Sequence, residues 1–240
     1  MKFFLAALTA FFALFASAQT SAQQSQPPSI TPGSAEIDRT YLVPRQVFQR
    51  LSWIDAGGKL TGTATLNCVT RVDTAGKTLT YLQLRNDGKR DSTVAEWPDL
   101  KPIYTSSAGG GYRVSYDYHS GKDVKVNSTV NGKIVADSTA TLSPASFDSF
   151  LTDYLFGALP LKPGYTANFS VNSGSTTIIR IKEVMTDVLL SPNGQPIEVY
   201  ILPVEFGPYK VLYWIDKSTR EMLKSVVRSK DGSIFMKSRI

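Results

Sequence analysis

His119 and Cys68 are each the sole residue of their type in the chain. A zinc centre draws three or four ligands from His, Cys and carboxylates, and an activated nucleophile needs an adjacent base that a third group orients. Counts of one exclude most zinc sites and the Cys/His nucleophile arrangements within a single chain. His119 stands beside Ser120-Gly121, where it reads as a solvated turn residue, and no Gly-x-Ser-x-Gly elbow offers it a partner. Cys68 has no second cysteine to pair with and reads as a buried thiol behaving as a small hydrophobe. Carboxylates remain: Asp148 and Asp153 on one short segment, then Glu183, Asp187, Glu198 and Glu205. Two of them in one cleft could hydrolyse a glycoside, but sequence alone does not pair them among 20 acids. No catalytic residue, cofactor or metal site is assigned, and no enzymatic activity is expected. The segment Asn86 to Asp91 lacks calcium-loop spacing and reads as a hairpin tip. Gly109-Gly110-Gly111 precedes a strand and opens no phosphate-binding helix.

Aromatic residues form the other constellation. Tyr112, Tyr116 and Tyr118 share one face of an alternating segment. Tyrosine offers a flat apolar body with a polar tip, which suits a cavity wall, and it is equally a good packing residue in a sheet. Phe147, Phe150 and Tyr154 from a helical segment and Trp214 from a late strand complete the candidate ligand-lining set.

The elements that must position these residues are mostly strands. Leu60 to Cys68, Tyr112 to His119, Val124 to Val130 and Tyr165 to Val171 alternate apolar with polar, the period of a strand with one face on a core or cavity. Asp55-Ala56-Gly57-Gly58, Asp73-Thr74-Ala75-Gly76, Asn131-Gly132, Asn193-Gly194 and Asp231-Gly232 punctuate them as hairpin turns. Segments around Ile178 to Ile181, Glu198 to Leu202 and Val211 to Ile215 are apolar on both faces, so something should cover them. Ser143-Pro144 reads as an N-cap with proline in the first turn, followed by Phe147, Phe150, Leu151, Tyr154 and Leu155 on one helical face. Gly157 and Pro160 end that helix. An amphipathic helix between strands is expected to cover or plug a sheet.

Met1-Lys2, an apolar run from Phe3 to Phe15 and Ala16-Ser17-Ala18 have the layout of a signal peptide over residues 1–18. Residues 19–36 are polar and proline-rich, as in a flexible leader, and 37–240 read as a single β-rich domain. A periplasmic or secreted protein is expected, with no transmembrane segment after signal cleavage. The formal net charge is +6, spread among acids rather than clustered, which argues against a nucleic-acid partner.

The stretches Leu142 to Asp148, Ala158-Leu159-Pro160-Leu161-Lys162-Pro163-Gly164-Tyr165 and Tyr213-Trp214-Ile215-Asp216-Lys217-Ser218-Thr219-Arg220 resemble a family of bacterial periplasmic domains of unknown function. That family is similar to the lipoprotein-sorting (LolA/LolB-like) half-barrels of Gram-negative envelopes. The resemblance covers most of the chain after about Arg45, and its motifs are structural corners rather than catalytic residues. It implies a strongly curved antiparallel meander, a half-barrel, wrapped around a short helix, with an apolar interior able to hold a hydrophobic guest. A closed lipocalin-like barrel is the runner-up fold. The function expected is a non-enzymatic carrier or binding domain for a lipid or lipidated protein. The alternative is an envelope assembly protein that docks a protein partner through its sheet, and a carboxylate-based hydrolase comes third.

Overall fold

Short polar side chains hold the turns that the sequence announces. Asp55 accepts a hydrogen bond from the Lys59 amide at 2.9 Å, Asp73 from Lys77 at 2.7 Å and Asp231 from Ser233 at 3.0 Å. Each mimics a backbone turn, which is why aspartate recurs at these corners. Asn131 and Gly132, between two later strands, both have positive φ (48° and 76°), as a type I′ hairpin requires. The computed structural model describes residues 27–120, 123–141, 146–172, 174–191 and 193–240, without the side chains of His119 and Ser120. The expected signal peptide, the leader as far as Gln26, the Ser143-Pro144 cap and the His119 side chain lie outside the described residues.

The strands run from β1 (Ser29–Ile30) through β2 (Arg45–Ile54), β3 (Leu60–Val72), β4 (Thr78–Arg85) and β5 (Arg90–Glu96). There follow β6 (Pro102–Gly109), β7 (Tyr112–Ser120), β8 (Asp123–Val130) and β9 (Lys133–Thr141). After a bridge strand, β10 (Phe147–Asp148), come a 3-10 turn over Ser149–Leu151 and the helix α1 (Thr152–Gly157). The chain then makes β11 (Ala167–Asn172), β12 (Thr176–Ile181), β13 (Met185–Leu190) and β14 (Pro196–Phe206). It ends with β15 (Tyr209–Asp216), β16 (Met222–Arg228) and β17 (Ile234–Arg239).

All of these strands belong to one sheet, in the order β1-β10-β11-β12-β13-β14-β15-β16-β17-β2-β3-β4-β5-β6-β7-β8-β9. Antiparallel pairing of β17 with β2 (Met236 opposite Ser52) joins the late strands to the early ones. The meander is not wholly antiparallel, because β1 and β10 both run parallel to β11. The sheet is open and curved, and among the described residues no backbone ladder joins its ends, so the half-barrel holds and the closed barrel does not. Ser29 and Ile30, placed in the expected leader, pair with β11, and Ile30 is fully buried. The folded part therefore takes in residues ahead of Ile37. Among the described residues no helix is long and apolar enough to cross a membrane.

The segment from Phe147 to Gly157 fills the concave side. Its Phe156 ring lies 4.6 Å from Tyr213 on β15 and 5.9 Å from Phe169 on β11, while Tyr154 stacks on Tyr81 of β4 at 6.3 Å. One turn and a half of helix thus touches strands far apart in the sheet order, which only a tightly curled sheet permits. The helix is shorter than expected and starts later. Phe147 and Asp148 are extended, and Asp148 caps the 3-10 turn by accepting from the Phe150 amide at 2.9 Å. Aspartate is a strong N-cap, and it takes that role near the helix in place of the expected Ser143. Nor is the helix one-faced: every residue of α1 is buried.

Candidate functional site

The plug is held by two carboxylates that the sequence left unpaired. Asp148 Oδ1 accepts from Thr93 Oγ1 on β5 at 2.8 Å, and Oδ2 accepts from Thr105 Oγ1 on β6 at 2.7 Å and from the Tyr118 hydroxyl on β7 at 3.2 Å. The Tyr118 oxygen in turn accepts from Asn172 Nδ2 on β11 at 2.5 Å. This cluster ties β10 and β11 to β5, β6 and β7, so side chains bridge the seam where the backbone ladder is missing. Burial pushes the Asp148 carboxyl above its usual range, although donors from Thr105, Phe150, Thr93 and Tyr118 oppose the shift.

Five residues on, Asp153 Oδ2 accepts from Lys237 Nζ of β17 at 2.5 Å, both side chains being largely shielded from water. Burial, the largest single influence, would depress the Lys237 ammonium, but the charge and hydrogen bond of Asp153, with smaller help from Cys68 and Asp91, together hold the group above its ordinary value. Cys68 lies nearby, donating to Gln49 Oε1 at 3.6 Å, and burial pushes its thiol up to about 11. It is a buried thiol, as its sequence position suggested. Between Arg45, Gln49, Thr70, Tyr81, Tyr154 and Glu221 there is a cleft of about 30 Å³. That is room for one or two waters, not for an acyl chain. The concave side is otherwise packed: Leu151, Leu155, Phe156, Leu159, Ile179, Leu202 and Ile215 have no measurable exposure. Among the described residues the expected greasy hollow is a packed core.

The structure does not gather the expected ligand-lining residues into one wall. Phe147 is a core residue, its ring edge-on to Phe169 at 5.8 Å. Tyr154 is buried, donates to the Val43 carbonyl at 3.1 Å and carries the Arg45 guanidinium 4.9 Å over its ring. Phe150 is half-buried against the same core. Tyr118 belongs to the Asp148 cluster, Tyr116 packs on Tyr118 and Val124, and Tyr112 is exposed at the far end of β7. Trp214 faces away from the core. Alternation along β15 buries its neighbours Tyr213 and Ile215, and Lys224 Nζ lies 5.0 Å over the indole of half-buried Trp214.

Expected cover for the doubly apolar strands is likewise missing among the described residues. On the outer face of β12 to β15, Ile178 is 49% exposed, Met185 47% and Leu212 40%. Strand register aligns Pro203, Leu212 and Val226 across β14, β15 and β16, with Ile201, Trp214 and Lys224 in the next row toward one end. Toward the other end Glu205 stands opposite Arg180 on β12 and Lys210 on β15. A recess of about 520 Å³ runs here, with Lys182, Lys210 and Arg228 around the apolar floor. Lys182 pairs with Glu205 at 3.1 Å. No carboxylate among the described residues pairs with Arg180, Lys210 or Arg228. Sequence reasoning missed these cations because they are distant along the chain, but the uncovered apolar strands were a legible signal.

Comparison with solved structures gives only weak likenesses. A β-barrel-like protein of a domain of unknown function, DUF1849, from Brucella abortus is 10% identical, with 82% of this chain and 96% of that one covered and a TM-score of 0.45. MucB is 17% identical over 84% of this chain and 53% of its own, at a TM-score of 0.29. MucB in complex with MucA(peri) is 15% identical over 85% of this chain and 89% of that one, at 0.18. At those TM-scores the likenesses carry no functional weight. No curated protein matches the chain. The model of one family matches residues 47–238, from early β2 almost to the end of β17, and the chain belongs to it: the family described as protein of unknown function, DUF3108.

Proposed function

We propose that this chain is an exported envelope domain that works by docking a protein partner on the outside of its curved sheet, with no reaction of its own. The observation that carries this reading is the pairing of a filled interior with an uncovered apolar exterior. A carrier for lipid or for a lipid-modified protein needs a hollow, and Phe156, Leu155 and Tyr154 occupy the space where the guest would sit. An exposed patch of large apolar residues on a soluble surface favours association with another macromolecule. Export rests on the signal-peptide layout of residues 1–18 and places the partner in the periplasm or at the envelope. The enzyme reading has little support, since Asp148 and Asp153 are each engaged by structural donors from strands that the plug must hold.

Two measurements test the proposal. Native mass spectrometry with lipid extraction, after expression in a host with membranes, should give the bare polypeptide mass. Photo-crosslinkers on the outer face should yield protein adducts in the native envelope, and one at buried Phe156 should yield none. Stoichiometric acyl lipid in the purified protein would overturn the reading.

A further inference from the structure

We infer that the recess on the outer face of β14, β15 and β16 receives an acidic amphipathic helix of the partner protein, an inference that rests on the docking role just proposed. The floor is one cross-strand row, Pro203, Leu212 and Val226. Neighbouring strands lie about 4.8 Å apart, so such a row repeats at nearly the pitch of an α-helix, about 5.4 Å per turn. A helix lying across the strands can set one apolar residue per turn on each floor residue. This is the helix-in-groove mode, read as anchors at i, i+3 or i+4 and i+7.

Charge then fixes which helix fits. Two residues along the strands from the floor stand Arg180, Glu205, Lys210 and Arg228, with Lys182 beside them. Four cations face one carboxylate, and that carboxylate is already paired with Lys182. A helix whose apolar stripe rests on Leu212 therefore presents its flank to a cationic row, and acidic residues on that flank are the complement. On its other flank the helix meets Trp214 and Lys224. A recess of about 520 Å³ accepts inserted side chains. A bilayer surface would instead call for apolar residues standing proud of the protein, and Leu212 lies on the floor of the recess. The observations thus favour a peptide over a lipid surface.

The probe is a synthetic peptide of about 14 residues, long enough to form a helix, with leucine at the anchor spacing and glutamate flanking it. A second peptide replaces glutamate with lysine, and vesicles of phosphatidylcholine with phosphatidylglycerol test the membrane alternative. Fluorescence anisotropy with the full mature chain should show saturable binding of the glutamate peptide only. K210E/R228E should weaken it by at least about tenfold, the equivalent of one lost charge-assisted contact. R90E/R113E, on the outer face of β5 and β7, should leave it unchanged. Equal binding of the lysine peptide, retained affinity in K210E/R228E, or binding to vesicles but not to peptide would each overturn the inference. A crosslinker at Leu212 separates the two proposals. Protein adducts from other faces but none from Leu212 leave the docking role standing and remove this groove, whereas acyl lipid in the interior removes the docking role itself.

Discussion

Gly157 and the carbonyl of Arg220 are in backbone contact: a Cβ built on Gly157 would collide with that oxygen. The last residue of the plug therefore sits directly on the turn between β15 and β16. Arg220, at φ 58°, turns its guanidinium back to donate to the Leu159 carbonyl at 3.2 Å and lies 4.7 Å over Tyr41 and 5.0 Å over Tyr200. Asp216 shapes the same turn, accepting from the Ser218 amide at 2.7 Å and the Thr219 amide at 3.0 Å. The Leu-Pro-Leu corner and the Tyr-Trp-Ile-Asp strand, far apart in sequence, are two sides of one joint.

Gly157→Ala is expected to destabilise the protein despite its position in a helix. Alanine is better than glycine by up to about 1 kcal/mol in a helix interior. Here the added methyl meets a backbone atom that cannot rotate away, and overpacking of that kind costs about 1–3 kcal/mol. The net loss should be about 1–2 kcal/mol, read as a lower urea midpoint. Gly62→Ala, whose added Cβ would be in ordinary contact with Trp53 at 3.5 Å, is the control and should change little. Equal midpoints for both variants would show that the plug does not press on the turn.

Asp148 should make stability depend on pH in a direction opposite to the usual carboxylate. Its folded-state pKa is raised, so between the ordinary value and the raised one the folded protein holds a proton that the unfolded chain releases. Its contribution is most favourable below the ordinary value and is lost as pH climbs through the raised one. Asp148→Asn cannot titrate. Across a pH series of urea titrations, wild type should lose ground to the Asn variant with rising pH; a gain instead would refute the assignment. Asp148→Ala strands Thr93, Thr105 and Tyr118 without their acceptor and should cost about 3 kcal/mol or more at any pH.

How much of this could be read in advance follows from range along the chain. Hairpin turns were legible because Asp55, Asp73 and Asp231 act on backbone a few residues away. Alternation placed Tyr118 and Cys68 inside for the same reason. The helix was legible as an insertion but not in its bounds, since Asp148 caps the 3-10 turn that leads into it and the proline signal lies upstream. Trp214 was misplaced because its strand is apolar on both faces and periodicity gives no direction. The Asp148 cluster draws on β5, β6 and β7, and no local pattern encodes a meeting across that many turns.

Lys237 and Asp153 should behave as a coupled pair. Removing either partner leaves a charge in a site nearly closed to water, at a cost of about 3–5 kcal/mol, whereas removing both leaves none. Lys237→Met and Asp153→Leu alone should each fall in that range, and the double variant should recover most of the loss. Chemical denaturation of the four proteins gives the coupling energy directly. Additive losses would mean that the pair is wetter than its 15% and 10% side-chain exposures indicate.

Phe156→Ala should turn the packed interior into a binding cavity. The ring is fully buried between Phe169 and Tyr213, and truncating such a phenylalanine costs about 3–5 kcal/mol. An apolar void of that size stays dry and admits small apolar solutes. Benzene or xenon should therefore raise the melting temperature of Phe156→Ala by mass action and leave wild type unchanged. Docking on the outer face is a separate property of the same sheet, so the variant should still bind the glutamate peptide at a temperature where it remains folded. A wild-type protein that itself takes up benzene would mean the interior has space for a guest, and the carrier function would regain its footing.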